Sequence, residues 1–328
     1  MKAVYIKEFG AVDGLEIRDV PDPSSPAGKQ ILVRVRAAGL NRADLLQVRG
    51  VYPPPPGYSP NIPGLEFAGE VAAMGSEVTG WSIGDRVFGI TAGESQAEFL
   101  LSDESLLLKI PDNLSYTEAA AVPEAFLTSH DALFTLGELR AGESLLIHAV
   151  GSGVGLAALQ MAKAKGAFVI GTSRTPEKLE NARKFGLDAG ISTEEGPIFA
   201  EMVKEYTGGT GANLVLDLVG AAYFEQNLAS LAIKGRLVLV GLTSGSTTDF
   251  DLRAALQKRA KIIGTVLRAR PTAEKADATH KFSDDILSLL ASASVRPNLE
   301  KVFSSDDAIA AYRYLGSNES FGKVVLEF

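Results

Sequence analysis

A short glycine-rich segment, Gly151-Ser152-Gly153-Val154-Gly155, carries the strongest chemical signal in the sequence. Residues 144–150 before it are apolar over the length of a strand, and the residues after it have the composition and apolar spacing of a helix. Glycines at a strand-to-helix turn let the backbone approach a pyrophosphate, whose charge is stabilised by amide groups and by the positive end of the helix dipole. We therefore expect Ser152, Gly153 and Val154 to bind a dinucleotide cofactor.

Ser173 and Arg174 indicate which dinucleotide is bound. They end the second predicted strand, at about the position where an NAD-binding fold has an acidic residue for the ribose hydroxyl. A carboxylate there would repel a 2′-phosphate, whereas a hydroxyl and a guanidinium would bind it. One charge-assisted hydrogen bond contributes about 1.5–3 kcal/mol, which corresponds to a preference of roughly ten- to a hundredfold or more. Lys178 would add a second cation, so the pattern predicts NADPH; the alternative is that Arg174 and Lys178 are solvated surface charges.

The composition narrows the class of protein. The chain has 328 residues, which is enough for two domains with sizeable cores. No apolar stretch has the length of a membrane span, and the N-terminal residues have a strand pattern rather than that of a signal peptide. The absence of cysteine excludes disulfides and thiolate nucleophiles, and a net charge of −8 argues against nucleic acid as the main ligand. We expect a cytoplasmic protein that acts on small molecules and does not bind a membrane.

The order of the predicted elements indicates two domains. Residues 1–115 are mostly β, and a capping box at Ser115 opens a long helical stretch towards Leu139. Strands and helices then alternate, which predicts a doubly wound parallel sheet. Its predicted strands are residues 144–150, 167–172, 189–192, 213–219, 235–241 and 261–267. The last predicted strand, 323–328, rejoins the first domain, so the α/β fold consists of a mostly-β domain, 1–122 plus 269–328, with the nucleotide domain 123–268 inserted.

Further short motifs are distributed along the whole chain. They are residues 40–46, 63–71, 84–87, 119–123, 217–220 and 322–326. With these motifs the chain resembles the zinc-free quinone oxidoreductases of the medium-chain dehydrogenase/reductase superfamily. Residues 52–57 and 267–270 are most similar to the tumour-suppressor-induced quinone oxidoreductase branch of the zeta-crystallin-like enzymes. The resemblance implies a GroES-like catalytic domain with an inserted Rossmann domain that binds NADPH.

Departures from the zinc-dependent members of that superfamily bear on metal binding. Those enzymes have a ligand Cys where this chain has Asn41 or a near neighbour, a ligand His where it has Leu65, and a four-cysteine zinc lobe. Catalytic zinc needs three protein ligands and an open position, and the three histidines of this chain lack such spacing. We expect no metal. Glu66 is then expected to be an ion-pair or hydrogen-bond partner, and His148 a hydrogen-bonded core histidine.

The resemblance also assigns residues to the site. It places Asn41 and Tyr52 at the nicotinamide and substrate, with Asn41 bonding a ribose hydroxyl or the substrate oxygen and Tyr52 donating to that oxygen. The alternatives are a turn-forming Asn and an aromatic ring packed on the prolines that follow it. Further cofactor contacts are expected from Thr128, Gly241, Leu242, Leu267 and Lys323. Leu242 and Leu267 would flank the nicotinamide, whereas Thr128 and Lys323 have surface positions as their alternatives.

The chemistry left without zinc, cysteine or a histidine dyad is the transfer of reducing equivalents from NADPH to an electron-poor acceptor. The leading hypothesis is an NADPH:quinone reductase that works by hydride transfer or by one-electron reduction. The alternatives are an NADPH-dependent enone or enoyl-thioester reductase, and a non-catalytic, crystallin-like NADPH-binding protein. In relatives, the strand equivalent to 261–267 pairs across a two-fold axis, so a homodimer is expected.

Overall fold

The computed structural model describes residues 1–328. Its strands are β1 Lys2–Ile6, β2 Leu15–Asp19, β3 Gln30–Leu40, β4 Glu66–Met74, β5 Arg86–Ile90, β6 Phe99–Asp103, β7 Leu107–Lys109, β8 Ser144–Ile147, β9 Phe168–Ser173, β10 Ala189–Ser192, β11 Ala212–Asp217, β12 Leu231–Leu239, β13 Lys261–Gly264, β14 Leu299–Ser304 and β15 Lys323–Glu327. Its helices are α1 Arg42–Val48, α2 Tyr116–Ala120, α3 Pro123–His130, α4 Gly153–Ala164, α5 Pro176–Arg183, α6 Ala200–Tyr206, α7 Phe224–Ser230, α8 Leu252–Lys258, α9 Thr272–Ala291 and α10 Ala308–Ser317. The chain forms two compact units, Met1–Leu127 with Leu267–Phe328, and Thr128–Val266.

The first unit is organised around the long strand β3. Alternate residues of this strand, among them Ile31, Val33 and Val35, are buried, as expected for a strand with one face against a core. The strands lie in the order β14-β15-β3-β4-β5-β7, with β6 also paired to β3. Strand β15 runs antiparallel to β3, with Val325 opposite Gly39. The end of the chain is thus built into the first sheet, which confirms the prediction for the last strand.

The second unit contains a six-stranded parallel sheet in the order β10-β9-β8-β11-β12-β13. Counted within the unit, this is the order 3-2-1-4-5-6 of a doubly wound dinucleotide-binding fold. Leu145, Leu146 and Ile147 of the central strand β8 are fully buried, as expected for a parallel strand covered on both faces. Strand β13 lies at the edge of the sheet, as predicted, although it ends at Gly264 rather than at residue 267.

The predicted helical stretch from Ser115 to Leu139 is divided in the structure. The capping box is present, since Ser115 Oγ accepts a hydrogen bond from the Glu118 amide at 3.2 Å and the Glu118 carboxylate accepts one from the Ser115 amide at 2.9 Å. Helix α2 nevertheless ends at Ala120, because a residue before proline disfavours helical backbone. Pro123 then opens α3, where its missing N–H costs nothing. None of the helices, including the 20-residue α9, has the length and apolar character of a membrane span.

Candidate active site

The glycine-rich turn of the second unit joins β8 to the first turn of α4. Ser152 is the N-cap of α4, and its Oγ accepts a hydrogen bond from the Gly155 amide at 3.0 Å. A Cβ at Gly155 would lie 2.6 Å from the Ala149 carbonyl oxygen, so only glycine allows the helix to approach the turn this closely. The amides of Gly153 and Val154 open the helix and have no carbonyl partner within it. With no acidic side chain in this turn, it presents amide donors and the helix dipole to an anion.

The residues predicted to select the cofactor lie at the end of the neighbouring strand β9. Ser173 is its last residue, is buried, and accepts a hydrogen bond from the Thr175 amide at 3.1 Å. Arg174 follows with an exposed side chain that forms neither an ion pair nor a hydrogen bond within the protein. Lys178 is half-buried on α5. Because β8 and β9 are adjacent and parallel, their carboxyl ends bring the glycine-rich turn and Arg174 to the same edge of the sheet.

Three other residues predicted to contact the cofactor also lie in or after this unit's elements. Thr128 on α3 has a buried Oγ1 with no hydrogen-bond partner, so the predicted surface alternative is wrong. Gly241 follows β12, and a Cβ there would lie 2.6 Å from the Leu218 carbonyl oxygen. Leu242 is 55% exposed. A buried hydroxyl without a partner is costly in a folded protein, which makes Thr128 a donor or acceptor suited to a ligand.

His148 has the structural role expected from the sequence. Its Nδ1 lies 2.9 Å from Thr172 Oγ1, and its Nε2 lies 2.5 Å from Asn227 Oδ1. Since Asn227 Nδ2 donates to Asp217 at 2.9 Å, the Asn227 oxygen faces the histidine, and Nε2 carries the proton. Burial lowers the pKa of His148 to about 4, so the ring is neutral. The network fixes the ends of strands β8, β9 and β11 next to the glycine-rich turn.

In the first unit, Asn41 belongs to a buried cluster with Glu66 and Lys323. Asn41 Nδ2 donates to Glu66 Oε1 at 2.8 Å. Lys323 Nζ donates to Asn41 Oδ1 at 2.7 Å, to Glu66 Oε1 at 2.5 Å and to the Leu40 carbonyl at 2.8 Å. Glu66 is thus an ion-pair partner, as expected. Lys323 is only 5% exposed, so its surface alternative is wrong. All three of its ammonium protons have acceptors in the protein, which leaves none for the predicted cofactor bond unless one contact is displaced.

Tyr52 is positioned by Arg268, which lies in the motif at residues 267–270 but was not among the predicted site residues. Arg268 is buried, and its guanidinium carbon lies 5.1 Å from the centroid of the Tyr52 ring. The guanidinium donates to the Tyr52 carbonyl at 2.9 Å, to the Ala92 carbonyl at 2.8 Å and to Gln47 Oε1 at 2.5 Å. Arg268 therefore fixes the backbone and ring of Tyr52, whose hydroxyl makes no hydrogen bond within the protein. Leu267, the residue before Arg268, is buried in this unit.

Two further carboxyl groups lie beside the Asn41 cluster. Asp44 accepts hydrogen bonds from the amides of Asn41 at 2.7 Å and Gly64 at 3.2 Å, and burial raises its pKa to about 6. Glu124, in the first turn of α3, donates its backbone N–H to Glu66 Oε2 at 2.8 Å. Burial and, next, the nearby Glu66 carboxylate raise the pKa of Glu124 to about 8. Glu124 was not among the predicted site residues, although it directly follows the motif at residues 119–123.

The residues present do not form a zinc site. No group of three or more His, Cys, Asp or Glu side chains lies close enough together to hold a metal ion. Leu65, which stands where the zinc-dependent enzymes have a histidine ligand, is buried and has no donor atom in its side chain. Glu66 is occupied by the ammonium of Lys323.

Comparison with known proteins gives matches over both parts of the chain. Residues 27–130 match the alcohol dehydrogenase GroES-like domain, and residues 153–283 match the family described as zinc-binding dehydrogenase. A quinone oxidoreductase from Pseudomonas aeruginosa is 35% identical over 330 residues, which cover 99% of this chain and 99% of that protein.

Solved structures give the same fold. A mycobacterial protein determined in complex with NADPH superposes with a TM-score of 0.89 at 30% identity, and the match covers 100% of both chains. The enoyl reductase CurK superposes with a TM-score of 0.86 at 26% identity, over 99% of this chain and 98% of that one. The predicted GroES-like and Rossmann-type folds are thereby confirmed.

Proposed function

The chain belongs to the medium-chain dehydrogenase/reductase superfamily, and we propose that it is an NADPH-dependent, zinc-independent quinone oxidoreductase. The observation that carries the cofactor assignment is the unpaired, exposed guanidinium of Arg174 after Ser173 at the end of β9. No carboxylate occupies either position, so nothing there repels a 2′-phosphate. The similarity to a mycobacterial protein that binds NADPH supports this assignment.

Other residues of the second unit fit the rest of a dinucleotide. The amides of Gly153 and Val154 would bind the pyrophosphate at the N-terminus of α4. The partnerless Oγ1 of Thr128 would bond the cofactor, as the family resemblance implies. When bound, NADPH supplies the reducing equivalents, and the protein contributes binding, orientation and electrostatics.

The first unit supplies groups for an oxygen-bearing acceptor. Asn41 is held rigid by Glu66 and Lys323, and Tyr52 by Arg268, so the Tyr52 hydroxyl is a positioned donor with no competing partner. Preorganised donors stabilise an oxygen as it gains negative charge. An electron-poor carbonyl compound such as a quinone suits this arrangement, since its reduction needs no Lewis acid once the product is aromatic. The similarity to a quinone oxidoreductase supports this choice of acceptor.

The first experiment tests the cofactor assignment with Arg174→Asp. We expect the dissociation constant for NADPH to rise roughly ten- to a hundredfold, because one charge-assisted bond is replaced by repulsion. The constant for NADH should change less than about threefold. Arg253→Asp, an exposed arginine of the same unit, is the matched control and should change neither constant. Equal losses for both nucleotides would refute the 2′-phosphate assignment.

An acceptor panel tests the reaction and separates the alternatives. NADPH consumption is measured with an ortho-quinone, a para-quinone, an enal and an enoyl-thioester, with NADH in parallel. Selective turnover of quinones is the expected result. Turnover of the enal or thioester alone would favour an enoyl-type reductase, which the similarity to CurK makes the second candidate. NADPH binding without turnover of any acceptor would favour the non-catalytic alternative.

We also propose that the protein is a homodimer formed through β13. This strand is the unpaired edge of the parallel sheet, and its backbone groups are available to a second strand. Ile262 on β13 is 38% exposed, and Val266 just after it is 48% exposed. Pairing of two β13 edges about a two-fold axis would cover these side chains and satisfy the edge.

A further inference from the structure

Glu124 differs from every other carboxyl group of the buried cluster in the first unit. Asp44 and Glu66 are both held by hydrogen bonds from the protein, Asp44 by two amides and Glu66 by Asn41, Lys323 and the Glu124 amide. The Glu124 carboxyl accepts no such bond and is partly exposed. Its backbone is nevertheless fixed, since its N–H is bound to Glu66 Oε2 at 2.8 Å. The position of Glu124 in the chain is therefore fixed, while its carboxyl group makes no hydrogen bond or ion pair within the protein.

The titratable and charged groups around Glu124 come from six elements or loops. They are Glu66 on β4, Asp44 on α1, Lys323 on β15, Lys275 on α9, and Tyr52 and Arg268 on the loops after α1 and β13. The cations among them are engaged elsewhere. Lys323 donates to Glu66, Asn41 and Leu40, and Arg268 donates to Gln47, Tyr52 and Ala92. Lys275 Nζ lies 3.3 Å from the Arg268 carbonyl. Glu124 thus lies beside a buried carboxylate without an ammonium or guanidinium of its own.

The protonation state of Glu124 follows from these surroundings. Burial and the neighbouring Glu66 carboxylate outweigh Lys323 and Arg268, and the pKa of Glu124 rises to about 8. At neutral pH the group is a neutral carboxylic acid with a proton to give. Tyr52 is a weaker acid, because burial raises the pKa of its phenol above the ordinary value of 10.0. A general acid works best when its pKa lies near the working pH, and Glu124 meets that condition better than Tyr52.

We propose that Glu124 is the catalytic acid of this site, donating its carboxyl proton to the acceptor oxygen while Tyr52 holds the acceptor by a hydrogen bond. The inference rests on the proposed function. When bound, NADPH would supply two electrons and one proton to the quinone as a hydride, which alone would leave a hydroquinone monoanion. As that negative charge develops on the acceptor oxygen, the O–H bond of Glu124 breaks and a new O–H bond forms on the same oxygen. Water returns a proton to the Glu124 carboxylate through its exposed side, so the group is restored for the next turnover.

Glu124→Gln tests the proposal, because glutamine has the shape of the protonated acid but no acidic proton. We expect kcat for quinone reduction to fall by about a hundredfold or more, within the usual range for the loss of a general acid. The dissociation constant for NADPH should stay within about twofold. In the unsubstituted enzyme kcat should fall as the pH rises through about 8, where Glu124 ionises, and this fall should be absent in the variant.

Infrared spectroscopy gives a readout that does not depend on turnover. A carbonyl band of a protonated carboxylic acid should be present at pH 7 in the protein without cofactor and should disappear around pH 8. Most of the pH 7 band should be missing in Glu124→Gln, since Asp44, with a pKa of about 6, is largely ionised at that pH. Glu274→Gln, an exposed acid in the first turn of α9, is the matched control and should change neither band nor rate.

The outcomes separate this inference from the proposed function. The role of Glu124 would be overturned if the Glu124→Gln variant reduced quinones as fast as the unsubstituted enzyme. It would also be overturned if the carboxylic-acid carbonyl band were already lost by pH 6. If the unsubstituted protein reduces no quinone, the proposed function is overturned. The comparison of kcat between the unsubstituted enzyme and Glu124→Gln is then made with an enal or an enoyl-thioester as the acceptor. If no acceptor reacts at all, there is no reaction for Glu124 to serve, and the proposal falls as well.

Discussion

Lys323 offers a direct test of how the first unit is held together. Its ammonium is buried and donates to Leu40, Asn41 and Glu66 at 2.8, 2.7 and 2.5 Å. Lys323→Met keeps most of the side-chain length and removes the charge. The fully buried Glu66 carboxylate then keeps only the Asn41 side-chain amide and the Glu124 backbone amide as donors. The change therefore leaves a buried charge without a counterion.

The expected loss of stability is about 3–5 kcal/mol, because breaking one half of a buried ion pair leaves the other half uncompensated. In urea this would lower the unfolding midpoint by about 1–2 M if the denaturant slope is roughly 3 kcal/mol/M. The double variant Glu66→Gln/Lys323→Met has no stranded charge. It should recover most of the loss and retain a deficit of about 1–3 kcal/mol for hydrogen bonds that are not remade.

The assay can be confined to the unit that holds the pair. The chain has a single tryptophan, Trp81, which lies in the first unit and packs partly buried against its core. Urea unfolding followed by Trp81 fluorescence therefore reports on the surroundings of Lys323. Lys7→Met, at an exposed position of the same unit, is the matched control and should change stability by less than about 0.5 kcal/mol. A loss below about 1 kcal/mol for Lys323→Met, or a double variant no more stable than the single, would refute the reasoning.

Two predictions concern the second unit. The pKa of His148 is about 4 in the folded protein, against 6.5 for an ordinary histidine. The unfolded chain therefore takes up a proton first as the pH falls, so the stability due to neutral His148 is present above pH 6.5 and falls by about 3 kcal/mol towards pH 4. His148→Gln should remove this part of the acid sensitivity. Hydrogen exchange of the second unit at pH 7 and pH 4 measures the change in its stability, and an equal change in both proteins would contradict the prediction. Ile262→Lys should convert the dimer to monomers in light scattering, whereas Ile198→Lys, at a position that is 77% exposed and away from β13, should not; a dimer that survives the change at Ile262 would place the interface elsewhere.

The parallel sheet could be predicted from local sequence because its strands are visible as short apolar segments. Residues 144–147 are apolar enough to be buried on both faces, and Gly155 marks the close approach of α4 to the turn. The predicted ends of the strands were less accurate than their positions in the chain. The apolar run continues through residue 150, but β8 ends at Ile147, since the backbone turns at His148 and Ala149 has a φ of 48°. Apolar residues indicate which part of the chain is buried. Here the buried segment extends beyond Ile147, the last residue of β8.

The helix after residue 115 shows a different limit of local patterns. The spacing of apolar residues predicts one continuous helix, because this pattern takes no account of a single residue that interrupts a helix. Pro123 disfavours helical backbone at the residue before it and favours a new helix at its own position. The break has a chemical consequence, because it places Glu124 in the first turn of α3, where its N–H is free of helical bonding and meets Glu66.

The cluster around Asn41 could not be predicted from local sequence, because it depends on the register of strands far apart in the chain. Lys323 and Asn41 are separated by 282 positions, and they meet because Val324 of β15 lies opposite Leu40 of β3. A shift of one residue would turn Lys323 to the other face of the sheet and leave Glu66 without its cation. The same dependence extends to Glu124, whose backbone N–H is bound to Glu66 and whose pKa is raised first by burial and then by the Glu66 carboxylate. The proton-donating role proposed for Glu124 thus depends on the pairing of the last strand, and Lys323→Met should alter its titration as well as the stability of the unit.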